Sequence, residues 1–232
     1  MSVDLAVRSF VDLRTFAVAA PTGALCDAGR ILPASAGPVT ISAIDLVGEG
    51  HVEALAADLF VFVLAGALHV AGQGIGANRS AVLPRGSAFD WRAEDGTVVI
   101  RIACADAGAS AGGVAAPVLI DESAPLLPSG APLAELLVGP TPSCRNHTDF
   151  LSPSGEFICG TWDSTPYHRL PMRYRHYELM YLIDGSVTFE DETGRTAAYT
   201  AGDVFLVEQG AQCSWRSTAH VKKVYAIYRP TA

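Results

Sequence analysis

The run RHYELMYLIDG, residues 175–185, places His176 and Glu178 two positions apart in an otherwise apolar stretch. Side chains alternate faces along a strand, so His176 and Glu178 share a face with Tyr174 and Met180. Such a pair on an inward face has three uses: metal ligands, a general acid and base, or a buried polar pair that fixes the fold. A hydrogen-bonded His and carboxylate can hold and move a proton, which makes His176 and Glu178 the catalytic candidates. Further on, Lys222 and Lys223 open the run VKKVYAIY, and alternation sends one inward and the other out. An inward Lys223, or Arg173, would hold a negative group of a ligand.

Other chemistry-bearing residues gather in three short segments. CRNHTDF (144–150) brings Arg145, Asn146, His147 and Asp149 together outside any apolar period. It reads either as a loop reaching over a cavity mouth or as a solvated loop with Asx-type turns. GTWDSTPYH (160–168) supplies Trp162, Asp163 and His168, with Trp162 either walling a pocket or anchoring a core. QCSWR (212–216) supplies Cys213 and Trp215. Strand parity directs Tyr174, His176, Glu178, Cys213 and Trp215 at one cavity. Polar groups converging in an apolar concavity are the usual form of a small-molecule site, and a ligand pocket is the favoured reading. His51, His69 and His220 have no partners visible in the sequence and are expected at the surface.

These residues must be positioned by strands. Amphipathic helices are hard to find, while short β-branched and aromatic runs alternate with Gly, Pro, Asp and Asn, which predicts an all-β protein. The pattern is written twice. DLFVFVLAGALHV (58–70) lies over YELMYLIDGSVTF (177–189), matching Gly66 to Gly185. AVLPRGSAFDWR (81–92) lies over FLVEQGAQCSWR (205–216), matching Gly86 to Gly210 and Trp91 to Trp215. The first copy keeps its Trp, which favours a structural role for Trp91 and Trp215 alike. Between the copies, residues 105–132 are rich in Ala, Gly, Pro and Ser, the composition of a linker. Two similar β domains are expected, 1–118 and 119–232.

Composition narrows the partners. The 232 residues carry a formal net charge of −8, half are hydrophobic and only 17% are charged. Without a basic stripe, nucleic acid is excluded as a partner. No apolar run reaches the length of a membrane span, and the opening stretch has no apolar core of signal-peptide length. The five scattered cysteines include no C-x-x-C pair and read as reduced thiols. A cytoplasmic protein is expected, acting on a small-molecule ligand and pairing as a homodimer.

Both halves resemble cupins. The first cupin motif, G-x5-H-x-H-x3-4-E-x6-G, is represented by Glu178-x6-Gly185, and the second, G-x5-P-x-G-x2-H-x3-N, by Gly202-x5-Glu208-x-Gly210-x2-Cys213. GTWDSTPYH, AGDVFLVEQGAQCSW (201–215) and VKKVYAIY (221–228) are similar to stretches of the ureidoglycine-aminohydrolase-type cupin family. The resemblance implies a bicupin of two RmlC-like jelly-roll β-barrels, with the ligand inside the C-terminal barrel. It implies either a small polar metabolite, such as a carboxylate, amino or ureido compound, or a metal-dependent release of ammonia from one. A non-catalytic ligand sensor or scaffold is the remaining alternative. Carried over by position, the motif's histidines fall at Met172, Tyr174 and Cys213 and its glutamate at Glu178. No cofactor is therefore expected, the alternative being a divalent metal held by His176, Glu178 and Cys213. In the first half, Leu59 and Phe89 stand at the positions of Glu178 and Cys213, which predicts an apolar or occluded interior.

Overall fold

The computed structural model describes residues 9–33, 38–105 and 116–230. The small-residue centre of the expected linker, 106–115, lies outside the described residues. Contacts divide the chain into two units. One holds residues 13–120 together with Phe150–Phe157, and the other holds residues 9–12, 121–149 and 158–230.

The two units repeat one sheet order. In the N-terminal unit the larger sheet runs Val118–Leu119, Ser80–Leu83, Asp58–Ala65, Thr97–Cys104, Val39–Leu46 and Thr22–Gly23, with Arg30–Ile31 also pairing with Val39–Leu46. Its smaller sheet runs Glu49–Val52, Phe89–Ala93, Ala67–Val70, Gln73–Gly76. In the C-terminal unit the larger sheet runs Val11–Asp12, Val204–Val207, Tyr177–Asp184, Val221–Tyr228, Phe157–Ser164, Cys144–Leu151 and Leu127–Ser129. The smaller one runs His168–Arg173, Gln212–Arg216, Ser186–Glu190, Thr196–Thr200. The fold is all-β, and each unit is a pair of open sheets rather than one closed barrel. A core lies between the members of each pair. In the C-terminal unit it combines Met180, Leu182, Phe205 and Val221 of the larger sheet with Val187, Phe189 and Trp215 of the smaller one.

The repeat holds at the level of single residues. Glu178 pairs with Val207 and Ile227, and Leu59 pairs with Leu83 and Ala103. Leu182 faces Lys223, as Val63 faces Val99. Leu59 and Val99 therefore occupy the register positions of Glu178 and Lys223. The matched glycines turn the same corner. Gly66 has φ +71° and Gly185 φ +81°, left-handed values that disfavour a side chain. A Cβ there would also stand 2.5 Å from Thr97 Oγ1 or 2.1 Å from the His220 carbonyl.

Two expectations need correction. CRNHTDF is not a loop: it lies within the strand Cys144–Leu151, where its polar residues face partners described below. Nor is the N-terminal interior occluded. It is apolar around Leu59 and Phe89, as expected, but a cavity of about 400 Å³ opens beside Leu59. Arg101, at the register position of Tyr225, reaches this cavity, and nothing in the run TVVIRIAC signals that.

Candidate functional site

The C-terminal unit holds an open cavity of about 330 Å³ whose wall is built from its strands and from the segments that join them. From Tyr177–Asp184 and the residues before it come Tyr174, His176 and Glu178. Val221–Tyr228 supplies Lys223, Phe157–Ser164 supplies Trp162, and Gln212–Arg216 supplies Trp215. Alternation sends Lys223 inward as expected, while Lys222 turns the other way and donates to the Glu122 carbonyl at 2.7 Å.

The charged centre is a chain of three residues. Lys223 Nζ donates to Glu178 Oε1 at 2.7 Å, and Glu178 Oε2 lies 3.2 Å from His176 Nε2. Both members of the ion pair are more than nine-tenths buried. Lys223 Nζ also lies 4.8 Å from the Trp162 ring centre and 5.1 Å from that of Trp215, with Met180 Sδ at 3.2 Å. Two indole faces and a thioether thus hold the ammonium against the carboxylate. Desolvation alone would raise the pKa of Glu178, but the charge of Lys223 and the bond from His176 outweigh it and hold the carboxyl down at about 2. Glu178 is therefore ionised and can only accept hydrogen bonds. His176 must then present Nε2–H to it, which leaves Nδ1 as the ring nitrogen that can exchange a proton.

Trp215 and Tyr167 stack in parallel at 5.6 Å, and Trp162 meets Trp215 edge-on at 6.0 Å. Trp162 and Trp215 are at once wall and anchor, so the two readings of these residues describe one role. Opposite, Tyr174 tilts against His176 at 5.2 Å and its hydroxyl receives Arg169 Nη2 at 3.4 Å. Burial raises the pKa of Tyr174 well above the usual phenol range, against the opposing charge of Arg169. It stays a neutral hydroxyl at any physiological pH.

The other expected site residues fall elsewhere. Cys213 is on the predicted face but lies deeper, fully buried in the apolar core and absent from the cavity wall. Burial pushes its thiol up to about 11, and its contribution is a backbone carbonyl that accepts from Arg169 Nη1 at 3.1 Å. Arg173 is exposed opposite Gln212, and His168 pairs across from Arg216; neither lines the cavity. Arg145 instead grips Asp163, with Nε 3.0 Å from Oδ1, and Asp163 also receives His220 Nε2 at 3.0 Å. His147 lies 3.5 Å from Asp149 and is likewise outside the cavity wall. His220 is part-exposed as expected, yet it has this partner.

Arg169 and Arg229 line the cavity and were not legible in the sequence. Arg169 is almost fully buried and precedes a strand irregularity. Trp215 pairs with Arg169 and Cys213 with Met172, so three residues on one strand span two on its neighbour. This bulge reverses the parity, placing Arg169 and Met172 on one face although they differ by an odd number. Arg229 lies just past the last strand, where alternation no longer applies.

The resemblance to cupins raises the matter of a metal, and the donors present do not fit one. Glu178 already spends its oxygens on an ammonium and an imidazole, and Met172 and Tyr174 stand at the histidine positions. Among the described residues, no group of three or more His, Cys, Asp or Glu side chains is arranged to hold a metal ion. His176, Glu178 and Cys213 do not form such a set.

Comparison with known proteins agrees with this architecture. Residues 151–225 match the EutQ-like cupin domain. A protein of unknown function of the DUF861 family from Pseudomonas syringae pv. tomato is 27% identical, with a TM-score of 0.81 over 90% of this chain and 92% of that one. A cupin 2 conserved barrel domain protein from Leptotrichia buccalis is 11% identical, with a TM-score of 0.60 over 99% of this chain and 100% of that one. That likeness is one of fold. No curated protein is matched. Residues 151–225 are thus similar to a EutQ-like cupin domain, and the molecule as a whole shares the cupin fold; no helix among its described residues is long and apolar enough to cross a membrane.

Proposed function

We propose that the C-terminal unit binds a small anionic metabolite, a carboxylate or an amino or ureido acid, in a metal-free cavity with an acid/base pair at its base. One observation carries this reading. At the register positions of Glu178 and Lys223 the N-terminal unit has Leu59 and Val99, and it forms the same two sheets. The fold therefore does not need the buried pair, and the C-terminal copy keeps it beside a cavity. The sign of the charge names the ligand class: Lys223, Arg169 and Arg229 line the space against the single carboxylate of Glu178. Arg169 and Arg229 are positioned to hold the ligand's carboxylate, with Trp162, Tyr167 and Trp215 as flat walls around its body. His176, fixed by Glu178 through Nε2, has its Nδ1 lone pair free to take a proton from a bound substrate. Glu178 orients the ring and stabilises the imidazolium that results.

The reading is tested by titrating the full chain with a panel of small carboxylates, amino acids and ureido acids alongside their amides. Carboxylates should bind at least tenfold tighter than their amides, and Arg169→Met should abolish that preference. Equal binding of acid and amide would defeat it. If a bound ligand is turned over, His176→Ala should lower the rate and spare affinity; if ligands bind without turnover and His176→Ala lowers affinity alone, the unit is a sensor rather than an enzyme.

A further inference from the structure

We infer that the N-terminal cavity is a second and chemically different binding site, for a small aliphatic monocarboxylate whose anion is met by Arg101. The cavity, of about 400 Å³, is walled on its apolar side by Val52, Leu55, Ala57, Leu59 and Ala103.

Arg101 reaches this space as a buried cation, only 5% exposed. Its acceptors are all neutral. Nη2 donates to the Asp27 carbonyl at 2.7 Å, the Ala28 carbonyl at 3.1 Å and Ser42 Oγ at 3.1 Å, Nε donates to Ser42 Oγ at 3.2 Å, and Nη1 donates to the Leu25 carbonyl. A guanidinium has five N–H groups, so Nη1 keeps a second one with no acceptor among the described residues. No carboxylate among them lies within ion-pair distance; that of Asp27 turns away to accept Ala24 N–H at 2.8 Å. A charge removed from water without a counter-ion is costly, and desolvation accordingly pulls the pKa of Arg101 down. In the C-terminal unit, Glu178 compensates the equivalent interior. Here Leu59 stands in its place, and the Asp27 carboxylate, also on the cavity wall, acts on Arg101 only from beyond ion-pair distance, so a ligand anion can supply the close counter-charge. The same exchange turns the wall aliphatic, and an alkyl carboxylate satisfies both halves of the site.

Calorimetric titration of the full chain with hexanoate, hexan-1-ol and hexylamine tests this. Hexanoate should bind with one equivalent, at least tenfold tighter than hexan-1-ol, or about 1.4 kcal/mol, and hexylamine should not bind. From butanoate to hexanoate, affinity should rise about fourfold per methylene as apolar surface is buried. Ala103→Phe fills the cavity while keeping the Arg101 side chain and should weaken hexanoate at least tenfold. Ala57→Phe, on the edge of the same cavity, makes the same test should Ala103→Phe fail to fold. The inference falls if hexan-1-ol binds as tightly as hexanoate, if a folded cavity-filling variant binds hexanoate like wild type, or if none of the three binds.

Discussion

At the scale of single residues, Glu178 and Lys223 invert the usual relation between burial and necessity. Breaking a buried ion pair from one side leaves an uncompensated charge, which costs about 3–5 kcal/mol, whereas replacing both members with apolar residues is often neutral or stabilising. The N-terminal unit carries the apolar solution, Leu59 with Val99. Glu178→Leu and Lys223→Val should therefore each lower stability by about 3–5 kcal/mol, and the double variant should return to wild-type stability or above it. Chemical denaturation of the four proteins measures this; additive losses would mean that the fold itself requires the pair. The pH dependence follows from the same group. The carboxyl of Glu178 is held at about 2, below the ordinary value of 4.5, so its contribution is complete above pH 4.5 and is lost as pH falls towards 2. Acid titration of stability should show this loss, of about 3 kcal/mol, in the wild type, and the double variant should lack it.

At the scale of the element, strand parity governs what was legible. Glu178, Lys223 and Trp215 were readable because regular strands alternate strictly, and because the second copy of the pattern fixed which face was inward; Tyr174 and His176, in the extended link before Tyr177–Asp184, keep the same alternation of buried and exposed positions. Cys213 shows the limit of that rule: parity gives the face and not the depth, and the thiol lies under the cavity floor among Phe189 and its neighbours. Arg145 and His147 were misplaced because a strand polar on both faces has no hydrophobic period and reads as a loop. Arg169 was hidden by the bulge between Arg169 and Met172, which no pattern of residue types announces. The bulge also gives a test. Leu170 and Pro171, between the two paired positions, are exposed, and deleting Pro171 should restore regular pairing to this edge strand. Arg169 would then turn away from the cavity, and carboxylate affinity should fall at least tenfold with a change in stability within about 1–2 kcal/mol. Unchanged affinity in the deletion variant would show that Arg169 does not hold the ligand.

At the scale of the whole molecule, the C-terminal unit draws on both ends of the described chain. Val11 and Asp12 pair with Leu206 and Phe205, forming the edge strand of its larger sheet. Val118–Leu119 takes the same place beside Ser80–Leu83 in the N-terminal unit. A two-residue strand has no period, so the division at residue 118 assigned residues 9–12 to the first domain, whereas contacts gather them with the second. Phe10 is almost completely buried in the C-terminal core, 5.9 Å from Phe189, and Arg195 lies over its ring at 4.8 Å while donating to its carbonyl at 3.2 Å. Removing a buried Phe side chain costs about 3–5 kcal/mol, and the lost strand also uncovers the backbone of Val204–Val207. A chain beginning at Leu13 should therefore be destabilised in one unit only. Amide hydrogen exchange localises the effect, since protection reports the free energy of local opening. Amides of Tyr177–Asp184 and Val204–Val207 should exchange at least a hundredfold faster than in the full chain, while those of Asp58–Ala65 and Thr97–Cys104 keep their rates. Phe10→Ala in the full chain should reproduce most of the change with the edge strand still present. Equal acceleration in both sets of strands would mean that residues 9–12 support the molecule as a whole rather than the C-terminal core they complete.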